Sequence, residues 1–275
     1  MEVEPMNEAA TLDHDLQEEN VTLATKVKVL DNGFIECITI VIRSESSLPL
    51  DKSRHWVEGI QHKYNVGEQL GKGSYAPVYA AVDIETGRHE REINDILSRS
   101  PRSDKVVETL KWETCVSSVT IMVQERPIPC MDLQKYCESK NGRLCQSLAL
   151  KIMRQVVEGC QFCFSRGVCH NDIKSDNILI NTETFNIKLI DFGCGKKLET
   201  DPSAKIKTIC SLGRLLYILV CGQEPAVHSV PQFPSDLSED CQQLIRSLDK
   251  NSANLPTLED ILNHRCFVEE ADAEA

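Results

Sequence analysis

The stretch His170-Asn171-Asp172-Ile173-Lys174-Ser175-Asp176-Asn177 is the most informative part of the sequence, because it spaces an Asp, a Lys and an Asn in one short run. A second cluster, Asp191-Phe192-Gly193, begins fourteen residues after that run ends. Between the clusters, the apolar runs Ile178-Leu179-Ile180 and Ile187-Lys188-Leu189-Ile190 flank a loop of six residues. This pattern predicts a β-hairpin that brings both clusters to one rim.

The residue types in these clusters are those that phosphoryl transfer requires. One carboxylate takes the proton of the attacking hydroxyl, a Lys neutralises phosphate charge, and an amide oxygen with a second carboxylate holds magnesium ions. A lone Asp or Asn is usually a satisfied turn residue, and that remains the alternative interpretation of each cluster taken alone. The two clusters in this order and context favour the chemical interpretation.

The pattern resembles that of the protein kinases, over about residues 64 to 268. The resemblance implies that Asp172 is the catalytic base and that Lys174 contacts the γ-phosphate. It also implies that Asn177 and Asp191 are magnesium ligands, with ATP and Mg²⁺ as cofactors. A Lys at this position of the family pattern implies protein substrates with serine or threonine acceptors rather than tyrosine.

A glycine-rich stretch lies upstream, at Leu70-Gly71-Lys72-Gly73-Ser74-Tyr75-Ala76-Pro77-Val78-Tyr79. It resembles the kinase loop that covers the phosphates, although the family's third glycine is Ala76 here. A Gly-x-Gly pair alone is a weak signal, but a hairpin tip of this kind can approach phosphates without side chains intervening. The residues expected to contact the nucleotide are Leu70, Gly71, Gly73 and Val78.

The stretch Glu125-Arg126-Pro127-Ile128-Pro129 lies where kinases join their two lobes, and it is similar to that of the Pim serine/threonine kinases. Glu125 and Pro127 are expected nucleotide contacts, but Pro127 has no backbone N–H, so adenine would lose one hydrogen bond there. An interlobe turn without a ligand role is the alternative. Residues 191–195 and 211–222 also look Pim-like.

A lysine that the family pattern requires is missing. The family has a strand with Val-Ala-x-Lys after the glycine-rich loop, whereas this chain runs from Glu85-Thr86-Gly87-Arg88 directly into a predicted helix. Glu92 is the candidate for the family's helix glutamate, and without that lysine it is expected to lack its partner. Arg88 would be a poor substitute at the phosphates, because Arg and Lys differ in reach and geometry.

The activation segment is also short. Only residues 194–210 precede the Pim-like helix, without an Ala-Pro-Glu-like sequence, and Thr208 replaces an Asp that braces the catalytic loop. Near the end of the domain the family has Arg-Pro, whereas this chain has Leu255-Pro256. In the family that arginine pairs with the glutamate of Ala-Pro-Glu, and because both residues are missing here, neither charge is left buried alone. Asn171 replaces the Arg that, in the family, receives an activation-loop phosphate, so no switch of that kind is expected, although Thr200, Ser203 and Thr208 could be modified. A deletion that the fold has absorbed and an incomplete gene model are the two alternatives.

The net charge of the chain limits the classes of binding partner that it is expected to have. The chain has 275 residues, 41% of them hydrophobic and 26% charged, and a formal net charge of −12. This charge disfavours nucleic acid and anionic membranes, although local carboxylates could select basic substrate peptides. No secretory signal or bilayer-length apolar run is evident, so we expect a cytoplasmic or nuclear monomer with reduced cysteines. Cys160 and Cys163 with Cys169-His170 could suggest zinc, but their helical context and the catalytic-loop position of His170 favour free thiols.

The predicted fold class is α+β, with the bilobal architecture of protein kinases: a small, truncated, β-rich N-lobe and a helical C-lobe. We expect an extension at 1–60, the N-lobe at 64–126, the C-lobe at 127–268 and an acidic tail at 269–275. The spacing of Leu12, Leu16, Leu23, Val27 and Leu30 predicts one helical face in the extension, of either a surface helix or a partner-binding helix. Strands are predicted at 34–42, 106–110 and 119–123, and helices at 90–98, 132–137, 147–165, 212–220, 234–248 and 258–263.

Two functions are compatible with these features. The first is a Pim-like, ATP-dependent serine/threonine protein kinase with impaired activity, which the retained base and metal residues favour. The alternative is a pseudokinase that serves as a nucleotide-binding scaffold or regulatory binding module. The missing lysine and the short substrate shelf favour that alternative.

Overall fold

The computed structural model describes residues 22–29, 35–44, 84–115, 119–226, 231–250, 252 and 254–267. The chain divides into two compact units, one combining Met1–Arg88 with Thr109–Arg126 and the other combining His89–Glu108 with Pro127–Ala275. Helices and small antiparallel sheets confirm the predicted α+β class. The glycine-rich stretch at 70–79 and the tail at 269–275 lie outside the described residues.

The first unit contains a four-stranded sheet with strand order β1-β2-β4-β3. Its strands are β1 (Thr22–Val29), β2 (Ile35–Ser44), β3 (Thr109–Cys115) and β4 (Val119–Arg126). Strand β2 pairs antiparallel with β4 in unbroken register from Cys37↔Arg126 to Ser44↔Val119. The sheet therefore joins two strands from the predicted extension to two strands from the predicted N-lobe.

The predicted helical face in the extension is wrong where it can be compared with the structure. Leu23 and Val27 lie in β1, which pairs antiparallel with β2, while Leu12, Leu16 and Leu30 lie outside the described residues. The sequence from Thr22 to Val29 is rich in β-branched residues, which favour strands because they pack well on a pleated surface. Pairing with β2 thus outweighs an apolar spacing that also fits a helix.

The second unit holds the helices and the remaining strands. Helix α1 (Ile84–Leu97) belongs to it from His89 onward. The elements that follow in this unit are β5 (Cys130–Asp132), α2 (Leu133–Ser139), α3 (Gln146–Ser165), β6 (Val168–Cys169), β7 (Ile178–Asn181), β8 (Ile187–Leu189), β9 (Lys196–Lys197), α4 (Ala204–Cys221), α5 (Glu239–Ser247) and α6 (Leu258–Leu262). Helix α3 lies at the centre of the core, with its buried side chains contributed by Leu150, Ile152, Met153, Val156 and Val157.

The hairpin predicted between the two polar clusters is confirmed. Strands β7 and β8 pair antiparallel, with Ile178 opposite Leu189, and β5 pairs with the other edge of β7. Buried Gln155 of α3 supports the hairpin, since its Nε2 donates to Phe185 O at 2.9 Å and its Oε1 accepts from Ile187 N at 3.2 Å. Both backbone groups near the turn are thereby satisfied away from water.

Several predicted boundaries are corrected. The helix predicted at 212–220 is the second half of α4, which begins at Ala204, and the helix predicted at 234–248 begins only at Glu239. The strand predicted at 106–110 begins at Thr109, while Val106 forms an isolated bridge with Leu189. The other predicted helices and strands are present, with ends shifted by a few residues. Boundaries move because capping and tertiary pairing decide where an element ends.

The cysteines of α3 are buried in the core of the second unit. Cys160 and Cys163 are buried, and burial raises the pKa of the Cys160 thiol to about 12. Such thiols stay neutral and unreactive. Within the part of the chain that the structure describes, no cluster of His, Cys, Asp and Glu side chains could hold a metal ion.

No helix among the described residues has the length and apolar character needed to span a bilayer.

Candidate active site

Asp172 lies in the loop between β6 and β7, and two side chains of the same loop hold its carboxylate. Lys174 Nζ is 2.8 Å from Asp172 Oδ2, and the two side chains are 23% and 24% exposed, respectively. Asn177 Nδ2 donates to the same oxygen at 2.8 Å and to Asp172 O at 2.9 Å. The carboxylate is therefore oriented by two charged or polar neighbours and remains accessible from solvent.

The loop has this shape because its backbone turns sharply at both ends. Asn171 adopts a left-handed conformation with φ 62°, which Asn tolerates better than most residues. The 3-10 turn Ser175–Asn177 closes the loop, with Asn177 N donating to Lys174 O at 3.1 Å. Ser175 Oγ donates to Gln134 Oε1 at 2.8 Å, which ties the turn to helix α2.

Asp191 is the second residue after β8, and the residue before it is hydrogen-bonded to the first cluster through the backbone. Ile190 N donates to Asn177 O at 3.0 Å, so the two predicted magnesium ligands lie on hydrogen-bonded neighbouring segments. Asp191 has a left-handed backbone with φ 60°, and its Oδ1 accepts from Gly193 N at 3.2 Å. Strained backbone next to reactive side chains is a frequent feature of functional sites.

His170 joins the two clusters from the interior. Its side chain is buried, its Nε2 donates to Ile190 O at 2.8 Å, and its ring centroid lies 4.5 Å from that of Phe192. Burial lowers the pKa of His170, and its Nδ1 has no hydrogen-bond partner among the described residues. A neutral imidazole at this place supports the loop rather than exchanging protons with a substrate.

The expectation that Glu92 lacks a partner is wrong. Lys197 Nζ in β9 lies 2.5 Å from Glu92 Oε1 in α1, with side-chain exposures of 30% and 52%, respectively. The hydrogen bond to Glu92 raises the pKa of Lys197. No sequence pattern pairs residues that are 105 positions apart, and only the missing strand lysine hints that the glutamate needs a different partner.

The shortened segment after Gly193 is held by Asp201. Its carboxylate accepts from Ser203 Oγ at 2.6 Å and from Lys207 Nζ at 2.9 Å, and these two bonds lower the pKa of Asp201 to about 2. Helix α4 begins directly afterwards at Ala204, so only residues 195–203 connect it to the turn at Phe192–Cys194. Thr208 donates to Ala204 O within α4 at 2.9 Å and does not provide the missing brace.

The remaining predicted nucleotide contacts lie in other parts of the chain. Glu125 lies in β4 opposite Ile38, and Pro127 is the first residue of the other unit after the sheet. The predicted contacts Leu70, Gly71, Gly73 and Val78 lie outside the described residues. Asp172, Lys174, Asn177 and Asp191 are therefore the predicted site residues that the structure brings together.

Comparison with known proteins connects this arrangement to one family. Residues 87–212 match the protein kinase domain. The chain is similar to serine/threonine-protein kinase pim-2 of Danio rerio, at 30% identity over 280 residues that cover 81% of this chain and 90% of the relative. Testis-specific serine/threonine-protein kinase 2 of Mus musculus is 28% identical over 73% of this chain and 72% of its own length. The corresponding values for testis-specific serine/threonine-protein kinase 3 of Homo sapiens are 24%, 74% and 96%.

Proposed function

Because the chain belongs to the serine/threonine protein kinase family, we propose that it transfers the γ-phosphoryl group of ATP to protein serine or threonine hydroxyls, with impaired activity. One observation supports this most directly: the Asp172 carboxylate is held by Lys174 at 2.8 Å and by Asn177 at 2.8 Å. The likeness to pim-2 supports a Pim-like enzyme. We further propose a monomer in the cytoplasm or nucleus that accepts basic substrate segments.

In the proposed reaction Asp172 accepts the proton of the acceptor hydroxyl. Lys174 and Asn177 both contact its Oδ2, whereas its Oδ1 makes no hydrogen bond within the described part of the chain. The free oxygen is the one that faces an incoming hydroxyl, and the two bonds at Oδ2 fix the orientation of the carboxylate. The Lys174 ammonium beside it offsets negative charge on the transferred group. Orientation and charge stabilisation of this kind supply most of the catalysis in phosphoryl transfer.

The side chains of Asn177 and Asp191 fit a magnesium ion by their chemistry. Magnesium prefers hard oxygen ligands, and these residues offer an amide oxygen and a carboxylate. Because Asn177 Nδ2 donates to Asp172 at 2.8 Å, its Oδ1 points away from that carboxylate and can face a cation. When bound, the ion would neutralise phosphate charge. Asn177 and Asp191 would hold it while Asp172 and Lys174 act on the acceptor hydroxyl and the γ-phosphate.

A nucleotide-binding pseudokinase is the second candidate function, and the short segment before α4 favours it. With α4 beginning at Ala204, few residues after Gly193 are available to form a shelf for an acceptor peptide. The sequence also has no strand lysine of the family type before Glu92. Under this alternative the chain binds MgATP and a protein partner but transfers phosphate to peptides very slowly.

A phosphotransfer assay separates the two candidates. The purified full chain is incubated with radiolabelled ATP, Mg²⁺ and a basic peptide, beside its Asp172→Asn variant and the matched control Asp236→Asn. Asp236 is an exposed residue that pairs with Arg143 at 2.9 Å, so its replacement leaves the catalytic loop intact. The kinase proposal requires transfer that Asp172→Asn reduces at least about 10²-fold and Asp236→Asn does not. Transfer that is equal in both variants contradicts it, and binding without transfer supports the pseudokinase.

A further inference from the structure

Helix α1 contacts the segment after Gly193 at two points. Ile93 is completely buried, and a Cβ placed on Gly195 would lie 3.1 Å from Ile93 Cγ2, so the helix and this segment are closely packed. One residue earlier in the helix, Glu92 Oε1 is 2.5 Å from Lys197 Nζ. An apolar contact and an ion pair thus join the same two elements.

Lys197 lies in a strand that pairs with β6, the strand that leads into the catalytic loop. Strand β9 pairs antiparallel with β6, with Lys197 opposite Val168 and Lys196 opposite Cys169. His170, the first residue of the catalytic loop, follows Cys169 directly. Lys197 is therefore paired with a residue that lies two positions before the loop that contains Asp172.

The two contacts have different consequences for α1. Burial of Ile93 selects the helix face that packs against the segment, but the hydrophobic effect is non-directional and leaves some freedom of rotation about the helix axis. A hydrogen-bonded ion pair restricts that rotation, because the glutamate must point at one atom. Since both side chains are partly exposed, the pair shifts an equilibrium by less than about fivefold and acts on position more than on stability.

We propose that Lys197 is a positioning residue for α1, acting as the partner of Glu92 in place of the strand lysine that the sequence lacks. Its ion pair couples the orientation of α1 to the segment that follows the metal-binding cluster. The expected effect on nucleotide affinity rests on the proposed function, whereas the effect on α1 does not.

Hydrogen exchange and nucleotide titration on the full chain test this proposal. Exchange is followed by mass spectrometry in peptides that cover Ile84–Leu97, and MgATP binding is followed by calorimetry. The variants are Lys197→Met, Lys197→Arg, Glu92→Gln and the charge swap Glu92→Lys with Lys197→Glu. Lys205→Met is the matched control, because Lys205 is exposed and has no ion pair among the residues that the structure describes.

We expect Lys197→Met and Glu92→Gln to speed exchange in α1 by about two- to fivefold and to weaken MgATP binding by a similar factor. Lys197→Arg and the charge swap should restore both quantities, which a merely structural lysine would not show. The proposal is overturned if Lys197→Met matches Lys205→Met, or if the charge swap behaves like the single variants. If exchange changes as expected while the native chain does not bind MgATP, the positioning role stands and the proposed function fails.

Discussion

Replacing Asn177 with alanine removes two hydrogen bonds that hold the candidate base. One is a neutral bond to Asp172 O at 2.9 Å, and the other is charge-assisted, to Asp172 Oδ2 at 2.8 Å. Neutral bonds contribute about 1 kcal/mol and charge-assisted ones about 1.5–3 kcal/mol. Because the Asp172 side chain is 24% exposed, water replaces part of the second bond. We therefore expect the free energy of unfolding to fall by about 2–3 kcal/mol.

Urea denaturation followed by far-ultraviolet circular dichroism measures this loss. Asn186→Ala is the matched control, since Asn186 is exposed and its side chain makes no hydrogen bond within the described residues, and we expect it to stay within about 0.5 kcal/mol of native. Asn177→Asp adds a second carboxylate beside Asp172, and like charges disfavour ionisation of both. That variant should lose more stability at pH 8 than at pH 5. A loss for Asn177→Ala no larger than that of the control would refute the assigned geometry.

Three further predictions concern stability and pH. Gly213→Ala should destabilise the chain by about 1–3 kcal/mol in urea, because the new Cβ would lie 2.6 Å from Leu248 Cβ. The pKa of Asp201 is lowered from 3.8 to about 2, so its stabilising contribution is present above pH 3.8 and is lost as the pH falls towards 2. In Asp201→Asn, the free energy of unfolding measured by circular dichroism should therefore fall less steeply over this pH range. Burial lowers the pKa of His170 from 6.5. As the pH drops from 7.5 to 5.5, this imidazole is therefore protonated in the unfolded chain but stays neutral in the folded one, and the free energy of unfolding falls. His170→Gln should remove up to about 1.4 kcal/mol of that loss in urea titrations at the two pH values.

The parts of the site that were predictable from the sequence are those set by local chemistry. Short apolar runs on both sides of a six-residue loop predicted the hairpin of β7 and β8, because the pairing joins segments that are close in sequence. The partner of Glu92 was not predictable, since Lys197 is 105 positions away and only the tertiary packing of α1 brings the two together. The stretch from Thr22 to Val29 was misassigned for a related reason. Its apolar spacing fits a helix, and only pairing with β2 selects the strand.

The short segment after Gly193 is stabilised by hydrogen bonds of its own, made by Asp201. The Asp201 carboxylate offsets the charge of Lys207 and holds the turn that starts α4. Thr208, where the family has a charged brace, satisfies its hydroxyl inside the helix, and Leu255, where the family has an arginine, packs against the hydrophobic core. The loop that contains Asp172 is tied to α2 through Ser175, and the strand that leads into it, β6, pairs with β9. Under the proposed function, few residues between Gly193 and Ala204 are available for a peptide shelf, so substrate capture should suffer more than the binding of nucleotide.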